Sequence, residues 1–176
     1  MFTNNFDPVA ISIFTIDIRW YSLSYIFGVL FGWLYCIKFL IKDKNIINIF
    51  NDLITYIIFG IIVGGRLGYV FIYNLKYYLN NMHEVFFIWE GGMSFHGGLV
   101  GIIVTTYFFS KKHGINKYIF LDYISITAPI GIFFGRVSNF VNGELVGKST
   151  NSDWGVIFLS YDDIPRHPSQ LYEAFF

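Results

Sequence analysis

The residues of this chain best suited to chemistry lie in one short run, Gly135–Gly147. An arginine, two asparagines and a glutamate stand there at the end of a segment otherwise apolar enough to cross a bilayer: Arg136, Asn139, Asn142 and Glu144. An ionisable side chain at membrane depth costs roughly a few kcal/mol, and for that reason it marks a functional site. A guanidinium at this depth has few suitable partners. A lipid phosphate matches its planar, bidentate hydrogen bonding best.

The spacing within this run predicts which of these residues lie close together and what each would bind. Arg136 and Asn139 are three positions apart and therefore lie on one face of a helix. Asn142 and Glu144 lie at or just past the helix end. We expect the asparagine amides to hold ester carbonyls or glycerol hydroxyls, and Glu144 to orient Arg136 or accept a proton. The alternative is structural: an Arg–Glu pair, joined by asparagine hydrogen bonds, would lock helices together.

A histidine set between two glycine pairs forms a second candidate, in the segment Trp89–Leu99. His96 lies at the mouth of an apolar segment, and histidine is the side chain suited to proton transfer near neutral pH. The alternative is a helix-start histidine that is satisfied by backbone or lipid headgroups. In that case the glycines serve only as turn and packing residues.

A third candidate is Arg66, which lies in the glycine-rich stretch Gly64–Tyr69. The glycines allow a neighbouring helix or a lipid headgroup to approach the backbone closely, and Arg66 could then bind a headgroup phosphate. The alternative is a helix–helix packing contact, in which Arg66 pairs with a carboxylate or extends to the membrane interface.

The composition indicates a membrane protein. Of 176 residues, 55% are hydrophobic, 22% aromatic and only 14% charged, which is too apolar for an ordinary soluble domain. The net charge is zero and no basic stripe occurs, so we expect no nucleic-acid partner. The single cysteine, Cys36, excludes a disulfide framework. No cluster has metal-ligand spacing, and we expect neither a metal nor a cofactor.

The apolar segments predict an all-α fold, a polytopic helix bundle forming a single membrane domain over residues 1–176. A span takes about 20 helical residues. Four segments qualify, near residues 21–41, 52–73, 95–110 and 118–142. A loop over residues 143–168 follows, with a possible short strand at Trp154–Phe158. A fifth span begins at 169–176, and we expect the chain to be truncated within it.

The lysines predict the orientation of the bundle. They concentrate in the first and third loops, at Lys42, Lys44, Lys111, Lys112 and Lys117. Since positive charge favours cytoplasmic loops, these two loops face the cytoplasm. The residues before the first span, the loop around His96 and the residues after Asn142 then face outward. The sequence therefore predicts chemistry at the outer leaflet, served by a loop region on the periplasmic side.

Taken in order, these motifs closely resemble the prolipoprotein diacylglyceryl transferase family of bacterial inner membranes. The resemblance is strongest over the run from Gly135 to Gly147. It extends to four further motifs, at residues 19–21, 65–69, 91–98 and 166–173. Together they cover the chain from about Asp17 to its last residue. The family has further spans and at least one further important arginine beyond that point, so we expect residues 1–176 alone to be inactive.

The resemblance implies an enzyme that moves the diacylglyceryl group of phosphatidylglycerol onto the lipobox cysteine thiol of a prolipoprotein signal peptide. A thioether would form and glycerol phosphate would leave. Membrane lipids would be its other partners. By position, the implied catalytic residues are Tyr21, His96, Arg136 and Glu144. The implied substrate-binding residues are Arg66, Asn139 and Gly147, and Asn142 joins them because its amide, like that of Asn139, could hold ester carbonyls or glycerol hydroxyls.

The residues are compatible with this chemistry, in which His96 would accept the thiol proton and Arg136 would bind the phosphate. Two other classes stay open. One is another outer-leaflet phospholipid headgroup transferase or phosphatase, and the other is a non-catalytic lipid-binding membrane protein.

Overall fold

The computed structural model describes residues 1–14, 16–88 and 91–176, without the side chain of Ile16. Two strands, β1 (Phe2–Asn4) and β2 (Val9–Ile13), precede β3 (Ile16–Arg19) and the first helix. The helices are α1 (Trp20–Tyr35), α2 (Lys44–Gly68), α3 (Leu75–Asn80), α4 (Phe95–His113), α5 (Lys117–Asn142) and α6 (Ser169–Phe175). Between α5 and α6 lie β4 (Val156–Phe158) and β5 (Pro165–Arg166). Short π-helical turns extend α1 over Cys36–Leu40 and α2 over Tyr69–Tyr73.

The helical membrane fold predicted from the sequence is confirmed. Among the described residues, three helices are long and apolar enough to cross a membrane: Trp20–Leu40, Lys44–Tyr73 and Lys117–Asn142. Helix α4 covers the predicted span 95–110 but is not one of the three, because Lys111, Lys112 and His113 lower its mean hydropathy. The number of membrane crossings and the single membrane domain stay predictions.

Capping residues explain where two of these helices begin. Helix α2 starts at Lys44, well before the predicted span at 52, because the Asp43 carboxylate accepts the Asn45 N–H at 2.8 Å. Ser94 caps α4 in the same way, accepting the Gly97 N–H at 3.2 Å. The hydropathy pattern locates apolar segments, whereas these hydrogen bonds set the helix ends.

The chain forms two compact units. The first unit comprises residues 1–38 and 125–176, and the second unit comprises residues 39–124.

In the second unit, glycines line the contact between α2 and α4. A Cβ atom on Gly60 would lie 2.9 Å from the Gly101 carbonyl oxygen, and one on Gly68 would lie 2.7 Å from the Gly97 Cα. A Cβ on Gly64 would lie still closer to the Gly97 carbonyl oxygen. Because no larger residue fits, glycines let the two backbones touch, as in other membrane helix pairs.

In the first unit, α1 packs against α5. A Cβ on Gly28 would lie 3.0 Å from the Gly131 Cα, and the rings of Phe31 and Phe134 stack with centroids 5.5 Å apart.

The first unit also contains a small sheet with the strand order β1-β4-β5, in which β1 is parallel to β4 and β4 is antiparallel to β5. The predicted strand at Trp154–Phe158 therefore exists as β4. Strands β2 and β3 form an antiparallel hairpin that the sequence analysis did not predict.

Candidate functional site

The run Gly135–Gly147 comprises the carboxyl end of α5, which ends at Asn142, and the loop that follows it. The Glu144 N–H donates to the Asn139 carbonyl at 2.9 Å, and the Gly143 N–H donates to the Phe140 carbonyl at 3.1 Å. Gly143 has φ 66°. This is a Schellman motif, which satisfies the last carbonyls of a helix and requires a left-handed residue. The Asn4 side chain adds a bond to the Phe140 carbonyl at 2.6 Å.

Asn139 and Glu144 are also joined through their side chains. Asn139 is only 5% exposed, and its Nδ2 donates to the Glu144 Oε2 at 3.2 Å. Glu144 is exposed. Its carboxylate is therefore held from one side by a buried amide and is accessible from the other.

Arg136 pairs with a residue that the sequence analysis did not propose for the site. Its Nη2 lies 2.8 Å from Oε2 of Glu173 on α6, and the two side chains are 31% and 53% exposed. The expected contact with Glu144 is not the one formed, because Glu144 follows Arg136 by more than two helical turns. A partly exposed ion pair stabilises little, so an anionic group can compete for this guanidinium.

The segment around Gly147 pairs with the residues around Arg166. The Gly147 N–H donates to the His167 carbonyl at 3.0 Å, and Arg166 Nη1 donates to the Gly147 carbonyl at 3.2 Å. A Cβ on Gly147 would lie 3.0 Å from the His167 Cβ, so the close approach favours glycine. Arg166 also binds both carboxylate oxygens of Asp162. These bonds hold the pKa of Asp162 below its ordinary value.

Two side chains from the start of α6 hold the loop after Glu144. Ser169 Oγ donates to the Leu145 carbonyl at 2.9 Å, and Gln170 Nε2 donates to the Glu144 carbonyl at 2.5 Å. Leu145 has φ 51° and is 64% exposed. A left-handed backbone costs a non-glycine residue roughly 1–2 kcal/mol, and surrounding contacts must hold it there.

Tyr21 and Asn142 lie in the same unit. The Trp20 carbonyl accepts the Ser138 Oγ at 3.1 Å, which brings the start of α1 beside the part of α5 that carries Asn139. Tyr21 is half-buried. Asn142 ends α5, and its Oδ1 is buried without a hydrogen-bond partner in the described part of the chain. The first unit thus carries six of the eight predicted site residues: Tyr21, Arg136, Asn139, Asn142, Glu144 and Gly147.

The second unit carries Arg66, which is 4% exposed. Its guanidinium donates to four backbone carbonyls: Glu84 at 2.6 Å, Val85 at 2.8 Å, Gly91 at 2.5 Å and Gly92 at 3.3 Å. It also lies 5.2 Å from the centroid of the Tyr78 ring. These contacts are neither the carboxylate pair nor the interfacial extension that the sequence offered as alternatives. In this structure Arg66 holds backbone segments together.

His96 is the second residue of α4 and is exposed. The glycines around it have separate structural roles. Gly91 and Gly92 have φ 90° and 77°, as turn residues do, whereas Gly97 is buried against α2. The imidazole is therefore accessible at the start of a helix that is fixed by glycine packing.

Trp89 and Glu90, which open the predicted histidine motif, lie outside the described residues. Within residues 1–14, 16–88 and 91–176, no group of three His, Cys, Asp or Glu side chains could hold a metal ion.

The contribution of α6 and the residues before it was not predicted from the sequence. The run Gly135–Gly147 is contacted by four of these residues: Arg166, Ser169, Gln170 and Glu173. Their only signal was the motif at residues 166–173, which supported the family resemblance but gave none of its members a role.

Comparison with known proteins identifies the family. The profile of the prolipoprotein diacylglyceryl transferase family matches residues 8–176. The chain is 52% identical to the phosphatidylglycerol–prolipoprotein diacylglyceryl transferase of Rickettsia africae (strain ESF-5), over 98% of this chain and 67% of the relative. The same enzyme of Rickettsia felis (strain ATCC VR-1525 / URRWXCal2) is 51% identical with the same coverage.

The enzyme of Rickettsia bellii (strain OSU 85-389) is also 51% identical, over 98% of this chain and 66% of the relative. The chain thus spans about two thirds of the length of these relatives. The resemblance seen in the sequence motifs is confirmed, and the chain belongs to the prolipoprotein diacylglyceryl transferase family of membrane transferases.

Proposed function

We propose that this protein transfers the diacylglyceryl group of phosphatidylglycerol to the lipobox cysteine thiol of prolipoprotein signal peptides. The names of its relatives state both substrates, and the family match covers nearly the whole chain. We place the reaction in the bacterial inner membrane, on the periplasmic side, as the lysine distribution predicts. No cofactor is needed for this chemistry.

The reaction exchanges one bond at a glyceryl carbon. The cysteine sulfur bonds to the carbon that carries the phosphate, and the carbon–oxygen bond to that phosphate breaks. The electron pair leaves on the phosphate oxygen, so glycerol phosphate departs and a thioether remains. The thiol proton must be taken by a base, because the thiolate is the nucleophile.

The observation that carries the proposal is the setting of Arg136. Its side chain is 31% exposed at the end of an apolar helix, and its one ion-pair partner among the described residues is the half-exposed Glu173. A lipid phosphate can therefore share or displace that carboxylate. Arg136 then binds the phosphate and stabilises the charge that develops on the leaving group.

Asn139 and Glu144 serve as positioning and binding residues. Their mutual hydrogen bond fixes the Glu144 carboxylate. The accessible side of that carboxylate can accept a hydrogen bond from a hydroxyl of the glycerol headgroup. Asn142, Gly147 and Tyr21 are proposed to complete the lipid side of the site.

His96 is proposed as the base for the thiol. It is exposed and lies at the start of a fixed helix. A free cysteine thiol is about two pKa units less acidic than a free imidazolium, so the transfer costs roughly 2.7 kcal/mol. This is small beside a catalytic barrier. Arg66 is proposed to act indirectly, because its N–H groups already donate to backbone carbonyls.

Transfer from phosphatidylglycerol to a lipobox peptide tests the proposal, with the full reading frame and residues 1–176 assayed side by side. Mass spectrometry should detect a thioether-linked diacylglyceryl group on the peptide. Release of free phosphate without the thioether would instead indicate a phosphatase. Arg136→Ala should abolish transfer. Arg136→Lys should be nearly as severe, because lysine cannot make the bidentate contact. A mild effect would favour simple lipid binding.

His96→Gln tests the base separately. Near-normal transfer by this variant, with Arg136→Ala inactive, would remove His96 from the mechanism and leave phosphate activation in place.

A further inference from the structure

Gln170 is a buried polar residue that the mechanism above does not use. It is 1% exposed, and its Nε2 donates to the carbonyl of Glu144 at 2.5 Å. The neighbouring Ser169 holds the next carbonyl along the chain, that of Leu145, at 2.9 Å. Two adjacent side chains of α6 thus fix two adjacent peptide units of the loop that carries the Glu144 carboxylate.

The orientation of the Gln170 amide follows from its partner. A carbonyl oxygen only accepts hydrogen bonds, so the amide nitrogen must face Glu144. The amide oxygen is then buried, without a hydrogen-bond partner in the described ranges. A buried, unpaired acceptor is destabilising. An apolar side chain of similar size would avoid that cost. We therefore attribute the role of glutamine at this position to its hydrogen bond with the Glu144 carbonyl.

The residue beyond that carbonyl explains why such a bond is useful. Leu145 has φ 51°, a left-handed conformation that a leucine leaves unless its surroundings hold it. Its side chain is 64% exposed and contributes little packing to hold it. The backbone bonds on either side of Leu145 must therefore supply the restraint.

We propose that Gln170 is a positioning residue, which holds the Glu144–Leu145 peptide unit in its strained conformation and so keeps the Glu144 carboxylate against Asn139. Its effect on catalysis rests on the proposed transferase function, whereas its effect on the loop does not. Gln170 acts through Glu144 and does not touch substrate.

Gln170→Leu removes the hydrogen bond and keeps the buried volume. Amide hydrogen exchange at residues 144–147, measured by mass spectrometry in detergent, should become about tenfold faster or more, since the loop opens more often. The kcat for diacylglyceryl transfer should fall by a similar factor, with the KM for phosphatidylglycerol changed less.

Leu145→Gly supplies a rescue that a purely structural role would not show. Glycine adopts φ 51° without strain, so the loop needs less restraint. Adding Leu145→Gly to Gln170→Leu should recover most of the lost kcat. The matched control is Leu159→Gly, another half-exposed leucine of the first unit, outside the strained loop, which should recover nothing.

Gln170→Glu keeps the size and shape of the side chain and covers the case in which Gln170→Leu does not fold. A neutral carboxyl can donate to the Glu144 carbonyl, but an ionised one repels it. Relative to wild type at each pH, transfer and exchange protection should both fall as pH rises. The comparison with wild type at the same pH removes the pH dependence that the two proteins share.

The two arms separate the possible failures. Unchanged exchange at residues 144–147 in both Gln170 variants would overturn the proposal, whatever the activity. Faster exchange with normal kcat would overturn the positioning role in catalysis and leave the transferase function standing. Absence of transfer in the wild-type full reading frame would overturn the transferase function, while the exchange data would still decide whether Gln170 holds the loop.

Discussion

Replacing Arg66 by lysine tests whether this buried guanidinium holds the backbone or binds a phosphate. In the structure it makes three short bonds, of 2.5 to 2.8 Å, to the carbonyls of Gly91, Glu84 and Val85. A hydrogen bond to a charged group contributes about 1.5–3 kcal/mol. Lysine has a single ammonium without the planar fork, and it can keep one or two of the three bonds.

Arg66→Lys should therefore lose one or two charged hydrogen bonds, about 1.5–6 kcal/mol of stability. For a unit of this size, that corresponds to a fall in melting temperature of about 6 °C or more. The melting of the purified protein, followed by tryptophan fluorescence in detergent, measures it directly. Proteolysis at residues 84–92 should become faster in parallel, because the carbonyls there lose their common partner.

Arg136→Lys is the matched control for this experiment. Arg136 makes a partly exposed ion pair, which contributes about 0–1 kcal/mol, so its lysine variant should melt within a few degrees of wild type while transfer is lost. If Arg66→Lys melted like wild type and lost only activity, the carbonyl contacts would not be its main role. A substrate phosphate would then be the better assignment.

Three further predictions concern packing, pH and the site. Gly68→Ala should weaken the α2–α4 contact and lower the melting temperature, because its Cβ would lie 2.7 Å from a backbone atom. Gly135→Ala should be neutral or stabilising, because its Cβ would meet no atom of the described residues within 4 Å beyond its own helix backbone. Because the pKa of Asp162 is lower in the folded protein, its stabilising effect is present above the ordinary aspartate pKa, about 4, and is lost as pH falls through the lowered value. Asp162→Asn should flatten the dependence of melting temperature on acid pH. Asn139→Ala should reduce kcat about tenfold by freeing the Glu144 carboxylate, and Asn139→Asp, which sets two carboxylates together, should reduce it further; equal activity of the two variants would contradict this role.

The parts of the fold that could be predicted depend on local sequence. Apolar runs long enough to span a bilayer gave the main helices, because hydropathy is a property of each segment alone. The predicted span 118–142 ends where α5 ends, because Gly143, which follows Asn142, has the left-handed conformation at which a helix terminates.

The parts that could not be predicted depend on residues far apart in the chain. Glu173 reaches Arg136 only because α6 lies beside the end of α5, and no spacing rule connects the two residues. Arg66 could not be assigned because its acceptors are backbone carbonyls, of which two belong to the turn at Gly91 and Gly92 and two to Glu84 and Val85. A sequence motif is defined by side-chain types, so it does not show which backbone carbonyls point toward an arginine.

The Asn4 bond to the Phe140 carbonyl has a consequence for the order of folding during synthesis. The two residues are 136 positions apart, and β1 also pairs with the still later strand β4. The ribosome must therefore complete Val156–Phe158 before the first residues of the chain find their partners. The second unit is one continuous stretch, residues 39–124, and has all its own contacts much earlier. We expect the second unit to fold first. Strand β1 should pair with β4, and Asn4 should bind the Phe140 carbonyl at the end of α5, only afterwards.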